Sequence, residues 1–440
     1  MKKILIVSAS NTGHGHKSIC DSLLEQFRQY DDIQVKTCEG IKDFMSKAEY
    51  NFSNLYGPVI RNAKELWQAG FALTRQTHAI LVDYCAQSIS KAFLQELSSY
   101  QPDLIITVHP FFVGSLLNVL EKNALDIPLF VVQADMIDLH PMWCDARAER
   151  TFCPTAEAAM ITEAMGVPAE RIVRCGFPTR KQFVDAAALH TRVAYTPTRP
   201  LRCLIMSGGE GTGNLMQYGA KLLQNFNCEV TIICGRNAKL QKRLQTYFEP
   251  YGGRVSVCGF VSDVEQYMMQ NDVLICRGSP NTLMEGVICN IPMIITGALP
   301  GQEMHNPQLM EHYNLAISPS GVKDMIAAVA SLLQDDAKKL HAICEAQREY
   351  RCFDNAKNIV AYAADYLAGE PLNPNIAALI ATGPMPTQVI HRKVMARKAP
   401  RRIRINTPTG KALRALDIDP PAKKTKKPAV PTTAAKKRKK

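Results

Sequence analysis

Short runs of consecutive apolar residues, many of them β-branched, recur along the chain at residues 4–7, 104–108, 129–132, 204–206, 230–234, 255–258, 273–276 and 292–296. Stretches with helical spacing of apolar positions separate them. A strand that is apolar at nearly every position is buried on both faces, so the pattern predicts an α/β protein with parallel sheets covered by helices. The series breaks at Tyr195-Thr-Pro-Thr-Arg-Pro200, and a fresh strand and glycine-rich turn begin at Leu201. Two Rossmann-like units are expected, residues 1–195 and 196–369, with helices at 323–333 and 338–367 closing the second.

Composition changes this picture at one end. The chain has 440 residues, with 52 Lys and Arg against 40 Asp and Glu, a formal charge of +12. Residues 391–440 hold 18 of the bases and two of the acids, a net +16, which leaves 34 bases and 38 acids, net −4, for residues 1–390. The basic character belongs to a tail, residues 370–440, rich in Pro, Ala, Thr, Lys and Arg; a segment with so few large apolar residues is expected to be disordered. The 14 cysteines are scattered singly, without a C-x-x-C pair, as buried thiols of a reducing compartment would be. No apolar run approaches the roughly 20 residues needed to span a bilayer, which points to a cytoplasmic protein, free or bound to a membrane face.

Candidate chemistry lies at strand-to-helix turns. The first is Ser8-Ala-Ser-Asn-Thr12-Gly13-His14-Gly15-His16-Lys17, where glycines allow a ligand to approach the backbone and a helix N-terminus offers free N–H groups. Histidine there suits proton transfer near neutral pH, though a helix-capping loop with solvent-facing histidines accounts for the same residues. Ser207-Gly208-Gly209-Glu210-Gly211-Thr212-Gly213 repeats the arrangement and serves either a phosphate or a tight turn. Arg277-Gly-Ser-Pro-Asn-Thr282-Leu-Met-Glu285 and Leu299-Pro-Gly-Gln302-Glu303-Met-His-Asn306 each follow an apolar strand. Both therefore belong at the carboxyl edge of one sheet, where α/β folds bind ligands. A helix opening near residues 279–282 would aim amides at a diphosphate, and Glu285 one turn later would accept ribose hydroxyls.

In order along the chain, Thr12-Gly-His-Gly-His16, Thr107-Val-His-Pro110, Asp135 with His140-Pro-Met-Trp143, Cys153-Pro-Thr155, Gly176-Phe-Pro178, Gly208-Gly-Glu-Gly211, Ile233-Cys-Gly-Arg-Asn237, Gly259-Phe260, Ser279-Pro-Asn-Thr282 with Glu285, and Pro300-Gly-Gln-Glu303 with Asn306 resemble the monogalactosyldiacylglycerol synthase family. These are glycosyltransferases of the GT-B fold, related to MurG, and the resemblance runs from residue 3 to about residue 367. It implies two Rossmann-like domains facing a cleft and inverting transfer of a hexose from a UDP-sugar to diacylglycerol, with no cofactor or metal. His16 would be the general base, and Asp135 would orient it or hold the acceptor. Gly13, His14, Gly15, His109, His140 and Trp143 would line the acceptor side. Glu285 would grip the ribose, Gln302 and Glu303 the sugar hydroxyls, Phe260 the uracil, and Arg277 with the amides of Ser279, Asn281 and Thr282 the diphosphate. Gly209, Gly211, Arg236 and Asn306 would complete the donor side.

The chain departs from the family at Arg277-Gly-Ser-Pro-Asn-Thr282, where Lys-x-Gly-Pro-Gly-Thr is usual, and at His14, where plant-like members carry glycine. MurG-like transfer of N-acetylglucosamine, epimerisation of UDP-N-acetylglucosamine, and a non-catalytic nucleotide-sugar-binding protein are the competing readings. Residues 50–84 mix large apolar side chains with Arg and Lys, as an interfacial membrane surface or two core-facing helices would. The tail would hold the protein on the inner face of the cell membrane through anionic lipid, or on nucleic acid by the same phosphate attraction.

Overall fold

A computed structural model of the chain describes residues 1–9, 14–54, 59, 63–206, 208 and 214–369. The tail and the loops holding Gly13, Gly209 and Gly211 lie outside these residues, as does the side chain of His14. Among the described residues the apolar runs form two six-stranded sheets in which every pairing is parallel. The first comprises β1 (Lys2–Ser8), β2 (Ile33–Glu39), β3 (Leu104–Thr107), β4 (Leu129–Val132), β5 (Arg150–Cys153) and β6 (Ile172–Arg174), in the order β2-β1-β3-β4-β5-β6. The second comprises β7 (Leu201–Met206), β8 (Cys228–Ile233), β9 (Val255–Cys258), β10 (Val273–Cys276), β11 (Met293–Ile295) and β12 (Ala316–Ile317), in the order β12-β11-β10-β7-β8-β9. All eight expected strands are present. The four that the apolar runs do not mark are an edge strand with alternating burial, β2, and three of only two to four residues, β5, β6 and β12.

The strand order reverses between β1 and β3 and again between β7 and β10, which opens a crevice at the carboxyl end of each sheet. Val7 pairs with Thr107, so the chain leaves β1 and β3 side by side into one crevice. Alternate residues of the second sheet serve different layers, as the pleat requires. Leu204, Leu274 and Met293 join the core of the first sheet, whereas Cys203, Ile205 and Ile232 pack with Leu222, Leu223 and Val329 on the other side.

The expected closing helices have their break between 333 and 338, and they differ in a second break and in where the last helix packs. The helix Val322–Tyr350 is interrupted by non-helical residues at Gln334 to Ala337, and a second break at Arg351 precedes the helix Asn355–Ala368. That last helix packs on the first sheet, where Tyr362 and Tyr366 lie 5.8 and 5.1 Å from the Phe130 ring. The break is where the chain crosses between sheets. Gly176 receives the crossing: its φ is +74°, and a Cβ there would meet Asn355 Oδ1 at 2.5 Å, while Asn355 Nδ2 donates to the Phe177 carbonyl at 3.1 Å. All 14 cysteines are free thiols, 11 of them buried.

Candidate active site

His16 stands in the first turn of the helix His14–Phe27, directly after the β1 loop. Its Nδ1 lies 2.7 Å from the carbonyl oxygen of Val108, the residue that follows β3. A carbonyl only accepts, so Nδ1 carries the proton and the lone pair of the neutral ring is on Nε2. Burial pulls the pKa down to about 4 despite the opposing bond to Val108, which keeps the imidazole uncharged at neutral pH. The half-buried His16 ring has a buried imidazole beside it, His109, at 4.5 Å between ring centroids, and the Trp143 indole lies at 6.0 Å. Burial likewise drives His109 well below the ordinary histidine value.

Asp135, just past β4, accepts a bond from Trp143 Nε1 at 2.7 Å. Burial raises its pKa to about 7, against the indole bond and with help from Asp138 and Glu303. The group that orients His16 is thus the Val108 carbonyl, and the Asp135 carboxylate is engaged with Trp143. His140 has a supporting position. Its Nδ1 accepts from the Met142 amide at 3.3 Å, capping the turn Pro141–Trp143, which leaves Nε2 to donate to Thr74 Oγ1 at 3.2 Å. Burial, with Arg75 and His78 nearby, lowers its pKa to about 4.

Most of the residues expected on the donor side gather around the ends of β10 and β11. The helix Pro280–Ile288 opens with proline in its first turn and Ser279 at the N-cap, as the sequence predicts. Thr282 and Glu285 are buried in it. The Glu285 carboxylate is not solvated: Arg180 donates to its Oε1 from Nη2 at 2.8 Å and from Nε at 3.2 Å. Burial raises the Glu285 pKa and Arg180 opposes the rise. Glu303 accepts from the Leu299 amide at 2.9 Å and pairs with Arg277, Nε to Oε2 at 3.3 Å. Its pKa too is raised by burial, with Arg277 opposing. Asn306 Nδ2 holds the Gly278 carbonyl at 2.9 Å, which ties the loops after β10 and β11 together, and Gln302 is half-buried in the second of them. Beside these loops, after β8 and β9, the Arg236 guanidinium lies over the exposed Phe260 ring at 4.6 Å.

The two groups meet across the cleft. A Cβ on Gly15 would stand 2.8 Å from Asn281 Nδ2, so the loop that carries His16 abuts the N-terminus of the helix Pro280–Ile288. Helix amides and a neutral imidazole in one crevice can stabilise a departing anion and accept a proton from an incoming hydroxyl. Three residues of consequence carry no sequence signal of their own: Arg180 on Glu285, and the buried pair Asp138 and His305, whose side chains meet at 2.6 Å. Their partners are 105 and 167 positions distant, and only the sheet order brings them together.

Comparison with known proteins agrees with this geometry. Residues 16–179 match the monogalactosyldiacylglycerol (MGDG) synthase family and residues 211–335 match glycosyl transferases group 1. Monogalactosyldiacylglycerol synthase 1, chloroplastic, of Arabidopsis thaliana is 29% identical over 347 residues, 74% of this chain and 64% of its own length. The chain thus spans slightly less than two thirds of that relative. Processive diacylglycerol beta-glucosyltransferase of Bacillus cereus is 25% identical over 343 residues, 77% of this chain and 87% of its own. Among solved structures, MurG of Acinetobacter baumannii superposes with a TM-score of 0.57 at 12% identity, covering 83% of this chain and all of that one, a likeness of fold. With two parallel sheets facing one cleft and these matches in both halves, the chain has the GT-B fold and is similar to the monogalactosyldiacylglycerol synthases over residues 16–179 and to glycosyl transferases group 1 over residues 211–335.

Proposed function

We propose that the protein is an inverting glycosyltransferase that moves a hexose from a UDP-hexose to the free hydroxyl of diacylglycerol, making a β-monoglycosyldiacylglycerol. The reading is supported above all by the neutral His16 imidazole, its Nδ1 fixed by Val108, held beside the N-terminus of the helix Pro280–Ile288. In the reaction His16 Nε2 takes the proton of the acceptor hydroxyl while that oxygen bonds to the anomeric carbon. The bond from that carbon to the UDP oxygen breaks on the opposite face, so the configuration inverts. The departing UDP takes the electron pair, and the helix amides with the Arg277 guanidinium stabilise its charge. Asp135, held by the buried Trp143 indole, contacts the acceptor, Gln302 and Glu303 the hexose, Glu285 the ribose, and Arg236 with Phe260 the uracil.

The acceptor is a membrane lipid, and the helices Lys47–Ser53, Lys64–Gln76 and His78–Tyr100 expose Phe52, Leu73, Ile80 and Tyr84 to solvent. No helix among the described residues is long and apolar enough to cross a membrane. We assign these helices to the surface of an anionic bilayer on the inner face of the cell membrane, with the basic tail as a second attachment. The defining experiment mixes purified protein, diacylglycerol in anionic vesicles and a panel of UDP-hexoses, and follows UDP release and product mass. Release that depends on diacylglycerol, with a product heavier by one hexose, is the expected result. Turnover of UDP-N-acetylglucosamine without any acceptor would replace this reading with an epimerase.

A further inference from the structure

The loop between β11 and the helix Asn306–His312 is joined to the other half of the molecule by a contact that the transfer chemistry does not use. His305 donates its backbone N–H to Asp138 Oδ2 at 2.7 Å, and its Nδ1 lies 2.6 Å from Asp138 Oδ1. Both side chains are buried, 8% and 4% exposed. Further along, Tyr313 Oη donates at 2.5 Å to Oε1 of Glu157, which is also buried. Asp138 sits three residues after Asp135 and two before His140, on the acceptor side. His305 sits two residues after Glu303, on the donor-sugar side. Two bonds from one carboxylate to a single residue fix both the backbone position and the ring plane of that residue. Separating them in a buried site leaves unsatisfied polar groups, so the loop has a strong reason to stay in place.

We infer that Asp138 and His305 are a positioning pair that locks the loop 299–306 onto the acceptor half, so that Gln302 and Glu303 meet the hexose only in register with Asp135 and His16. The inference rests on the transferase reading and deepens it. Neither residue is assigned to the reacting atoms. The proposed uracil contacts, Arg236 and Phe260, lie outside the locked loop, whereas Arg277 at the diphosphate reaches that loop through Glu303. The lock therefore governs transfer of the sugar more than the hold on the nucleotide, whose uracil end does not depend on this loop.

The test uses the full chain with Asp138→Asn, His305→Ala and the double variant. Asparagine keeps the shape but removes the charge, and it can hold both groups only if the His305 ring shifts its proton to Nε2, so His305→Ala is the more decisive single variant. Three readouts are taken: UDP affinity by calorimetry, kcat and KM for the UDP-hexose on diacylglycerol vesicles, and hydrogen–deuterium exchange of peptides covering 299–306. Loss of one buried bond to a charged group predicts exchange of this loop faster by about tenfold or more, and kcat lower by about the same factor. UDP affinity stays within about threefold, and the double variant is no worse than the more damaging single, because the two residues act as one unit. Unchanged exchange and kcat in both singles, or effects that multiply in the double, would overturn the lock. So would a fall in kcat explained wholly by lost UDP affinity. If the unmodified chain transfers no hexose, the transferase reading fails, and the exchange of the loop alone decides whether the lock exists.

Discussion

Gly15 and Asn281 face each other so closely that a Cβ on the glycine would meet the asparagine Nδ2 at 2.8 Å. The first glycine-rich segment and the helix Pro280–Ile288 come from different sheets, and this contact is where the proposed general base and the helix proposed to hold the leaving group share one crevice. Gly15→Ala tests its value. The Asn281 amide is the end of a rotatable side chain and can turn aside, so unfolding free energy should change by less than about 1 kcal/mol. The displaced asparagine and loop should nevertheless lower kcat by about tenfold, within the range that misplacement of about 1 Å costs. Full kcat in Gly15→Ala would remove the contact from the mechanism.

His16 is expected to supply the larger part of the proton chemistry. His16→Ala should reduce UDP release by about 10² to 10⁴ while UDP binding is retained. Because burial holds the imidazole near a pKa of about 4, the ring is already the free base at neutral pH. The acid limb of kcat/KM should therefore fall through about 4 and not through the ordinary histidine value. A limb near the ordinary value that persists in His109→Gln would contradict this environment for His16.

The fold was readable from the apolar runs because parallel strands buried on both faces leave no polar positions to blur the pattern. The two-residue β12 and the edge strand β2 lack that contrast and carried no such mark. That the candidate residues Arg277, Glu285, Glu303 and Asn306 cluster after β10 and β11 was legible because the strand ends themselves mark the carboxyl edge. Their pairing was not. Arg180 lies far from Glu285 in sequence and Asp138 far from His305, and only the sheet orders bring the partners together. The Val108 carbonyl that orients His16 is main chain, so no residue type could announce it. The return of the last helix to the first sheet hinges on Gly176 and Asn355, whose fit is a matter of shape.

Asp135 should leave a mark on stability as well as on catalysis. Burial raises its pKa from the ordinary 3.8 to about 7, while the unfolded chain titrates near the ordinary value. The folded protein then binds this proton more tightly, so the contribution is fully present below about pH 4 and is lost as pH rises through about 7. Asp135→Asn removes the titration. The difference in unfolding free energy between variant and unmodified chain should shift in favour of the variant across that window, as read by urea unfolding at a series of pH values. A difference independent of pH would show that the carboxyl is not buried in this way.

The cross-cleft pair of Arg180 and Glu285 separates a stabilising role from a binding one. Removing the guanidinium in Arg180→Ala strands a buried carboxylate, and because Arg180 is partly exposed the cost should be about 1–3 kcal/mol in denaturant unfolding. Glu285→Gln keeps the shape and should be the milder change for stability. If Glu285 is the ribose contact, the same substitution should raise the KM for UDP-hexose by about tenfold, the weight of a hydrogen bond to a charged group. An unaltered KM would assign the ribose elsewhere.

Membrane attachment is expected to have two components that salt can tell apart. Phe52, Leu73 and Ile80 are 76%, 60% and 72% exposed, and the helix that carries Leu73 is tied to the acceptor side by the bond from Arg75 to the Leu139 carbonyl and by the Phe71 ring, 5.2 Å from His140. An apolar face so placed would enter the bilayer next to the acceptor site. Each such side chain contributes about 1.5–3 kcal/mol when fully buried, so replacing all three by Ser should lower vesicle affinity by about 10² or more. The loss should persist at high salt, and turnover of a short-chain, water-dispersed diacylglycerol should be spared. Deleting residues 370–440 removes the +16 segment, and its effect should appear on anionic vesicles at low salt and vanish as screening shortens the Debye length to about 3 Å near 1 M. Equal vesicle binding by the triple Ser variant and the unmodified chain would make these helices an ordinary solvent face and leave the lipid to reach Asp135 by another route.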